Sequence, residues 1–467
     1  MKTPNDLFSR LPSVNDLMEN PRIKSLVDRV QELEVSNGVR QFVDRMRREV
    51  SRRSLDAPIP SIGEIADRAA RFILGRHATA APQVVNATGN LWPVGLTGPP
   101  LADEALATLS ATAQHYHARP GSQVADLVAQ VAGGQAACVF NTPAGAALLA
   151  LSTLADGRAI VVARGELGTM DGSIRLTDLA KQAGVQLVEV GATDSVSLDD
   201  YRGALADGAG VLLRVESLPH ALRDQTCRPE VSELVRLAAE HNALVVHHIG
   251  RGALASLGDD IPLDVVTASA SLSAGAALAI ARGDGYTGGP TCGLAIGRRE
   301  LIEKLKNSPL ATALAVDPLV ESALGATLTL FRDTERAATL IPTLALLSTP
   351  ILNLQSRAER MAAQIESKPG IVTASPVEIP SAEDMGGTRP LPSFGISVLC
   401  EGHQLGRIQT QLEESRPQIV GNWRNDRLLL DLRTVAPADD IALVTAFDSP
   451  SDDSENATTT TDTEEEA

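Results

Sequence analysis

The stretch LAIARGDGYTGGPTCGLAIG, residues 278–297, decides what kind of sheet this chain builds. Its centre, GDGYTGGPTCG at 283–293, contains G-x-G-x-x-G letter for letter. That spacing cradles a pyrophosphate only where a strand enters the glycines and a helix leaves them, because the helix N-terminus supplies the N–H groups and the positive end of the dipole. Here an apolar run precedes the glycines, Pro290 follows at once, and TCGLAIG reads as another strand. The stretch is therefore expected to be strand, loop, strand, and a dinucleotide fingerprint is set aside.

Outward from that stretch, between about residues 80 and 300, short β-rich runs alternate with helix-length segments: ACVFN, AIVVARG, VQLVEVG, GVLLRVES, ALVVHHIG, DVVTAS, ALAIAR and CGLAIG. Such alternation predicts an α/β fold with a mostly parallel sheet covered by helices. Ligands of such sheets bind beyond the carboxyl ends of the strands, so the residues just after each run are the informative ones. Helical patterns dominate 298–366, after which IVTASPVEI, FGISVLC, HQLGRIQTQLEES and RLLLDLRTV describe a smaller α+β domain ending near 448. The first 76 residues carry 14 Lys/Arg against 11 Asp/Glu in a chain whose net charge is −17, and read as a separate basic helical module. Within it Arg45, Arg48 and Arg52 recur at helical spacing, beside Arg47 and Arg53. This stripe can meet phosphates or simply face water. The expected division is 1–76, 77–330, 331–448, and a tail at 449–467 with seven acids and no base, whose composition cannot form a core.

Composition narrows the function classes. With 3% aromatic residues, recognition of single-stranded nucleic acid on aromatic platforms is not expected. The longest strongly apolar stretch, SAGAALAIA at 273–281, is far too short to span a bilayer, so no membrane partner is expected. MKTPNDLFSRLPS at the start has no apolar h-region, and a cytoplasmic location is expected. Cys138, Cys227, Cys292 and Cys400 have no C-x-x-C spacing and read as buried thiols. His115, His117, His241, His247 and His248 lack ligand spacing, and adjacent strand residues point to opposite faces, so no metal is expected.

Several stretches together resemble bacterial L-seryl-tRNA(Sec) selenium transferase, also called selenocysteine synthase: LPSVNDLMENP at 11–21, VVNATG at 84–89, RGELGTMDGSIRLTD at 164–178, LVEVGATD at 187–194, GGPTCGLAIGRRELIEKLKNSPLATALAVD at 288–317 and RLLLDLRTVAP at 427–437. The resemblance covers nearly everything before the acidic tail. It implies a fold-type-I pyridoxal 5'-phosphate enzyme with a tRNA-binding N-terminal domain, assembled as a ring of dimers. Such an enzyme converts serine esterified to tRNA(Sec) into selenocysteine with selenophosphate. This chemistry needs a lysine that holds the cofactor as a Schiff base and a carboxylate against the pyridine nitrogen.

At both positions this chain departs from the family. Aligned on the family's S-G-D-K-x-x-G-G-P, the lysine falls on Gly285, and the acid before the family's L-G-S-G falls on His248, with His247 beside it. The only lysines are Lys2, Lys24, Lys181, Lys304, Lys306 and Lys368. The family's H-T-N-L-G-R becomes Pro93 to Gly98, its R-G-S-R becomes Arg119, Pro120, Gly121, Ser122 and Gln123, and its asparagine run becomes Asn141, Thr142 and Pro143. The resemblance leaves Asn141, Thr142, Asp284, Gly288 and Gly289 as vestigial cofactor contacts. Arg119, Arg164, Glu166, Ser173 and Arg175 are candidates for an anion or substrate, or for structural pairing, and Arg45, Arg48 and Arg52 for tRNA. Three readings follow: a catalytically degenerate member that binds tRNA or assembles with itself or an active homologue, an active transferase using a lysine of another chain or a noncovalent cofactor, and a small-anion sensor.

Overall fold

In the computed structural model, residues 12–27, 32–52, 61–77, 81–116, 123–170, 174–216, 227–258, 261, 265–379 and 391–448 are described. These described residues fall into two units, one within 1–85, 400–420 and 445–448 and the other within 86–399 and 421–444. The strands are β1 (Val84–Ala87), β2 (Ala136–Phe140), β3 (Ile160–Ala163), β4 (Thr169–Met170), β5 (Ile174–Arg175), β6 (Leu187–Val190) and β7 (Val211–Val215). They continue as β8 (Leu244–His248), β9 (Leu278–Arg282), β10 (Gly293–Gly297), β11 (Ile371–Ile379), β12 (Ser393–Cys400), β13 (Gln418–Arg424) and β14 (Arg427–Asp431).

In the first unit, helix Glu32–Arg52 turns Val35, Val39, Phe42, Val43 and Met46 inward at three- and four-residue spacing, against Ile65, Ala66, Ala69 and Ile73 of helix Ile62–His77. These positions form one stripe on each helix, which is what a helix–helix core requires. Gly38 lets the helices close, since a Cβ there would lie 2.6 Å from Ile73 Cγ1. Arg68, only 13% exposed, pairs with Glu414 of helix Leu405–Glu414 at 3.3 Å.

The second unit is built on a seven-stranded sheet of order β2-β10-β9-β8-β7-β3-β6. Pairs β9/β8, β8/β7, β7/β3 and β3/β6 are parallel, whereas β10 runs antiparallel to both β9 and β2. Alternate residues of one strand feed opposite cores, which explains the near-continuous apolar runs. On β7, Val211, Leu213 and Val215 enter one cluster with helix Pro143–Leu154, while Leu212 enters another with helices Leu198–Ala206 and Val231–Glu240. On β9, Leu278 and Ile280 face the first of these, and Ala279 and Ala281 pack with residues of helices Gln123–Ala132 and Pro318–Leu330. A separate five-stranded sheet has the order β1-β13-β14-β12-β11.

The α/β class and the mostly parallel sheet expected from alternation are present. The stretch that opened the reading is indeed two antiparallel strands, with Gly293 opposite Arg282. DVVTAS is a correction. Its described residues, 265–269, form no strand: Thr267 makes one isolated bridge to Ala253 and caps helix Ala268–Ser273, its Oγ1 accepting from the Ala270 N–H at 3.0 Å. Two adjacent valines supply strand propensity, but a Thr N-cap satisfies a helical donor and wins locally. Strand β13 and the short hairpin of β4 and β5 were not anticipated. The cysteines need a further correction, because Cys138, Cys292 and Cys400 are buried but Cys227 is exposed. No helix of the described residues is long and apolar enough to cross a membrane.

Candidate functional site

The loop from Gly283 to Thr291 is closed on itself by main-chain bonds. The Gly283 N–H donates to Cys292 O at 2.9 Å, the Gly289 N–H to Gly283 O at 2.9 Å and the Gly288 N–H to Gly285 O at 2.9 Å. Gly288 sits at φ +67°, a left-handed conformation, and a Cβ on it would meet Ile341 Cγ2 at 2.3 Å. Asp284 is 7% exposed and is held within the loop: Arg282 Nε and Nη2 donate to its two oxygens at 2.9 Å each, and Thr291 Oγ1 donates at 2.8 Å. A bidentate guanidinium–carboxylate pair of this kind fixes orientation as well as charge.

Gly285 lies against the turn after β8. The Tyr286 N–H donates to Arg251 O at 2.9 Å, which draws the main chain of 285 onto the main chain of 251. A Cβ at 285 would stand 2.5 Å from Arg251 O, 2.9 Å from its carbonyl carbon and 3.0 Å from its Cα. All three are backbone atoms that no rotamer change can remove. Around this contact, Trp92 Nε1 donates to Asp284 O at 2.8 Å, the Trp92 and Tyr286 rings meet edge to face at 5.1 Å, and the Arg251 guanidinium lies 5.2 Å from the Trp92 ring centroid. Trp92 is 7% exposed and Tyr286 is fully buried.

The residues present do not fit a Schiff-base-bound pyridoxal phosphate. Residue 285 has neither an amine nor room for a side chain in this backbone. Among the described lysines, Lys24, Lys181, Lys304 and Lys306 are exposed on helices, and Lys368 is half-buried just beyond one. His248, at the end of β8 opposite Val215 and Ile280, is 3% exposed, and an imidazole there lacks the fixed negative charge that a pyridinium needs. Asn141 and Thr142 are exposed; Thr142 Oγ1 accepts from the Gly145 N–H at 3.0 Å and so caps the helix that follows β2, and the Asn141 N–H donates to Leu314 O at 2.9 Å.

A network of charges lies at the carboxyl ends of β3, β7 and β8. Glu166, in the turn after β3, accepts from the Val215 N–H at 2.9 Å and pairs with Arg214 at 3.0 Å and Arg228 at 3.6 Å. Glu216 pairs with Arg228 at 2.9 Å, Arg214 at 3.4 Å and His247 Nε2 at 3.2 Å. Ser271 Oγ lies 2.9 Å from His247 Nδ1. Burial pushes Glu166 above the usual carboxylate range, against the pull of Arg214 and the Val215 N–H. For Glu216 burial acts the same way, but the His247 hydrogen bond and the charges of Arg228 and Arg214 outweigh it and hold the carboxyl well below its ordinary value. Burial lowers His247, and the Glu216 contact only partly restores it.

These directions give a signed expectation. A depressed carboxyl stabilises the fold above its unfolded value and loses that contribution as pH falls; a depressed histidine stays neutral inside while the unfolded chain takes up a proton, so it also costs stability on acidification. Glu216 and His247 therefore act together and Glu166 against them. The melting temperature of the protein should start to fall as pH drops below the ordinary histidine value of 6.5, and His247→Asn should remove that upper part of the decline. An unchanged profile in the variant would assign the decline elsewhere.

Of the described anion or substrate candidates, only Glu166 joins this network. Arg164 is half-exposed and turns to Gly191 O at 2.6 Å and Glu189 at 3.5 Å. Arg175, 76% exposed, stands 3.7 Å from Asp178. Arg119 and Ser173 lie outside the described residues, as do the side chains of Arg45, Arg48 and Arg52, whose main chain belongs to helix Glu32–Arg52. Sequence reading missed Trp92, Arg251 and Tyr286, and also Arg214, Glu216, Arg228 and Ser271. One signal was available: GVLLRVES places Arg214 inside a strand whose other residues are apolar, and a charge on a doubly covered strand requires a partner. No cluster of three or more His, Cys, Asp or Glu with metal-binding geometry occurs among the described residues.

Comparison with known proteins gives a consistent picture. A family model described as L-seryl-tRNA selenium transferase matches residues 84–436. The L-seryl-tRNA(Sec) selenium transferases of Hyphomonas neptunium and Geotalea daltonii are each 32% identical over 460 and 457 residues, covering 95% of this chain and 98% and 99% of theirs. That of Mannheimia succiniciproducens is 30% identical over 446 residues, covering 92% and 96%. Among solved structures, D-glucosaminate-6-phosphate ammonia-lyase superposes with a TM-score of 0.56 at 17% identity, covering 83% of this chain and 97% of that one, which establishes a shared fold. The α/β architecture expected for the large domain is thus shared with a known fold.

Proposed function

Because this chain belongs to the L-seryl-tRNA selenium transferase family, we propose that it serves selenocysteine biosynthesis as a member that engages tRNA(Sec), or assembles with itself or an active homologue, without making a lysine–pyridoxal bond. The carrying observation is Gly285, which has no amine and whose main chain is packed on that of Arg251. His248 in place of an acid and the self-contained pairing of Asp284 with Arg282 and Thr291 support the same reading. The direct test adds pyridoxal phosphate to the purified protein, reduces with borohydride and measures the intact mass. The expected result, after unbound pyridoxal phosphate has been removed and before reduction, is no one-to-one adduct at a single site; a reduced pyridoxyl group on one lysine in near one-to-one amount would overturn the proposal.

The tRNA part has its own test. Binding to phosphates by Arg45, Arg48 and Arg52 would release counterions, so changing all three to Ala is expected to weaken tRNA(Sec) binding and to flatten its salt dependence by about three in log–log slope. Equal affinity and slope in the variant would remove these residues from the interface. Similarity along nearly the whole length of the transferases supports a second reading, an active transferase whose lysine comes from another copy of the chain. Conversion of seryl-tRNA(Sec) by the purified protein, abolished by one Lys→Ala change, is the result that would favour it.

A further inference from the structure

We infer that Trp92, Arg251 and the loop from Gly283 to Thr291 form one interlocked packing unit that stands in place of the lysine, so that restoring a lysine at position 285 alone cannot restore the covalent cofactor bond. The inference rests on the reading of Gly285 above and adds a structural cause for its persistence.

Three independent contacts converge on the loop. From below, the carbonyl of Arg251 accepts the Tyr286 N–H at 2.9 Å and occupies the place of any Cβ at 285, at 2.5 Å. From the side, Trp92 Nε1 donates to the carbonyl of Asp284, the residue just before Gly285, at 2.8 Å. The Trp92 ring also meets the Tyr286 ring edge to face at 5.1 Å and carries the Arg251 guanidinium 5.2 Å from its centroid, a cation–π contact. Trp92 thus touches both walls of the 285–251 contact, and it is at most 7% exposed, as are Tyr286 and Asp284. A side chain at 285 must push the loop away from Arg251, and that movement pulls Asp284 O off the indole and separates the rings. The glycine and the tryptophan therefore depend on each other.

This mutual dependence is measurable in the full-length chain. Gly285→Ala and Trp92→Phe are each expected to lower the melting temperature by several degrees. The double variant should lose clearly less than the sum of the two, because the second change removes contacts that the first has already broken. Losses that add would overturn the inference, whatever the behaviour of lysine variants. Gly285→Lys, treated with pyridoxal phosphate and borohydride, should yield no reduced adduct at position 285. Formation of the adduct needs the amine to displace water at the aldehyde carbon and the hydride to reduce the resulting C=N bond, so a peptide mass identifies the residue that reacted. An adduct at position 285 of that variant, with a melting temperature like that of the natural chain, would overturn the inference; if Gly285→Lys does not fold, the additive or coupled outcome of the Ala and Phe cycle decides. A one-to-one adduct at a single lysine of the unaltered protein would instead sink the proposed function and leave this coupling intact.

Discussion

Replacing Glu166 with Ala is expected to destabilise the protein by about 3–5 kcal/mol, the cost of breaking a buried ion pair from one side. Its side chain is 2% exposed, and it faces the guanidiniums of Arg214, 6% exposed, and Arg228, 15% exposed. Two positive and two negative groups balance in this network, and removing one carboxylate leaves two cations to share Glu216. The Val215 N–H also loses its acceptor in the middle of the sheet edge. Glu166→Gln keeps an oxygen for that N–H and should cost less than Ala, with the difference reporting the lost main-chain bond. Denaturant unfolding of the three proteins measures both. If Glu166→Ala fell within about 1 kcal/mol of the natural chain, the network would be carrying little stability and Glu166 would regain interest as a ligand group.

The second large effect concerns Arg433, within the RLLLDLRTVAP stretch. Its guanidinium donates to four main-chain carbonyls, those of Thr349 and Pro392 at 2.5 Å, Leu347 at 3.3 Å and Leu346 at 3.4 Å. Its own N–H donates to Asp431 Oδ1 at 2.9 Å, and Ser393 Oγ donates to the same oxygen. Burial raises Asp431, opposed by Ser393 and Arg433. Arg433→Ala would take the shared donor from one buried carbonyl, that of Leu347, and three part-buried ones, and a buried carbonyl costs about 1–3 kcal/mol when orphaned, so a loss of about 3 kcal/mol is expected for the four together. Arg433→Lys should recover only part of it, because one ammonium cannot span carbonyls that a planar fork reaches from two sides. Near-equal stability of the Lys variant and the natural chain would mean that charge alone matters there.

Much of the fold was legible because its signals are local. Strand runs bounded by helix-length segments predicted the parallel sheet, and Pro290 with a second apolar run predicted that the glycine loop joins two strands. DVVTAS misled for an equally local reason: the valines outweighed the capping threonine on paper, while in the fold Thr267 starts a helix. The site was legible only as a set of replaced letters. Glu166 was singled out without its partners, and Arg164 and Arg175, equally plausible by spacing, turned to neighbours at the surface.

By itself the sequence determined the order of strands and helices, the family, and the absence of an amine at 285, because each is a property of residue identity and of its near neighbours. Only the tertiary structure decided that Gly285 lies on the carbonyl of Arg251, that Trp92 meets Asp284 O and the Arg251 guanidinium, and that Glu166 meets Arg214. These contacts join residues far apart in the chain through adjacency of β3 with β7 and of β8 with β9, and strand adjacency in a parallel sheet is set by packing of both faces rather than by spacing along the chain.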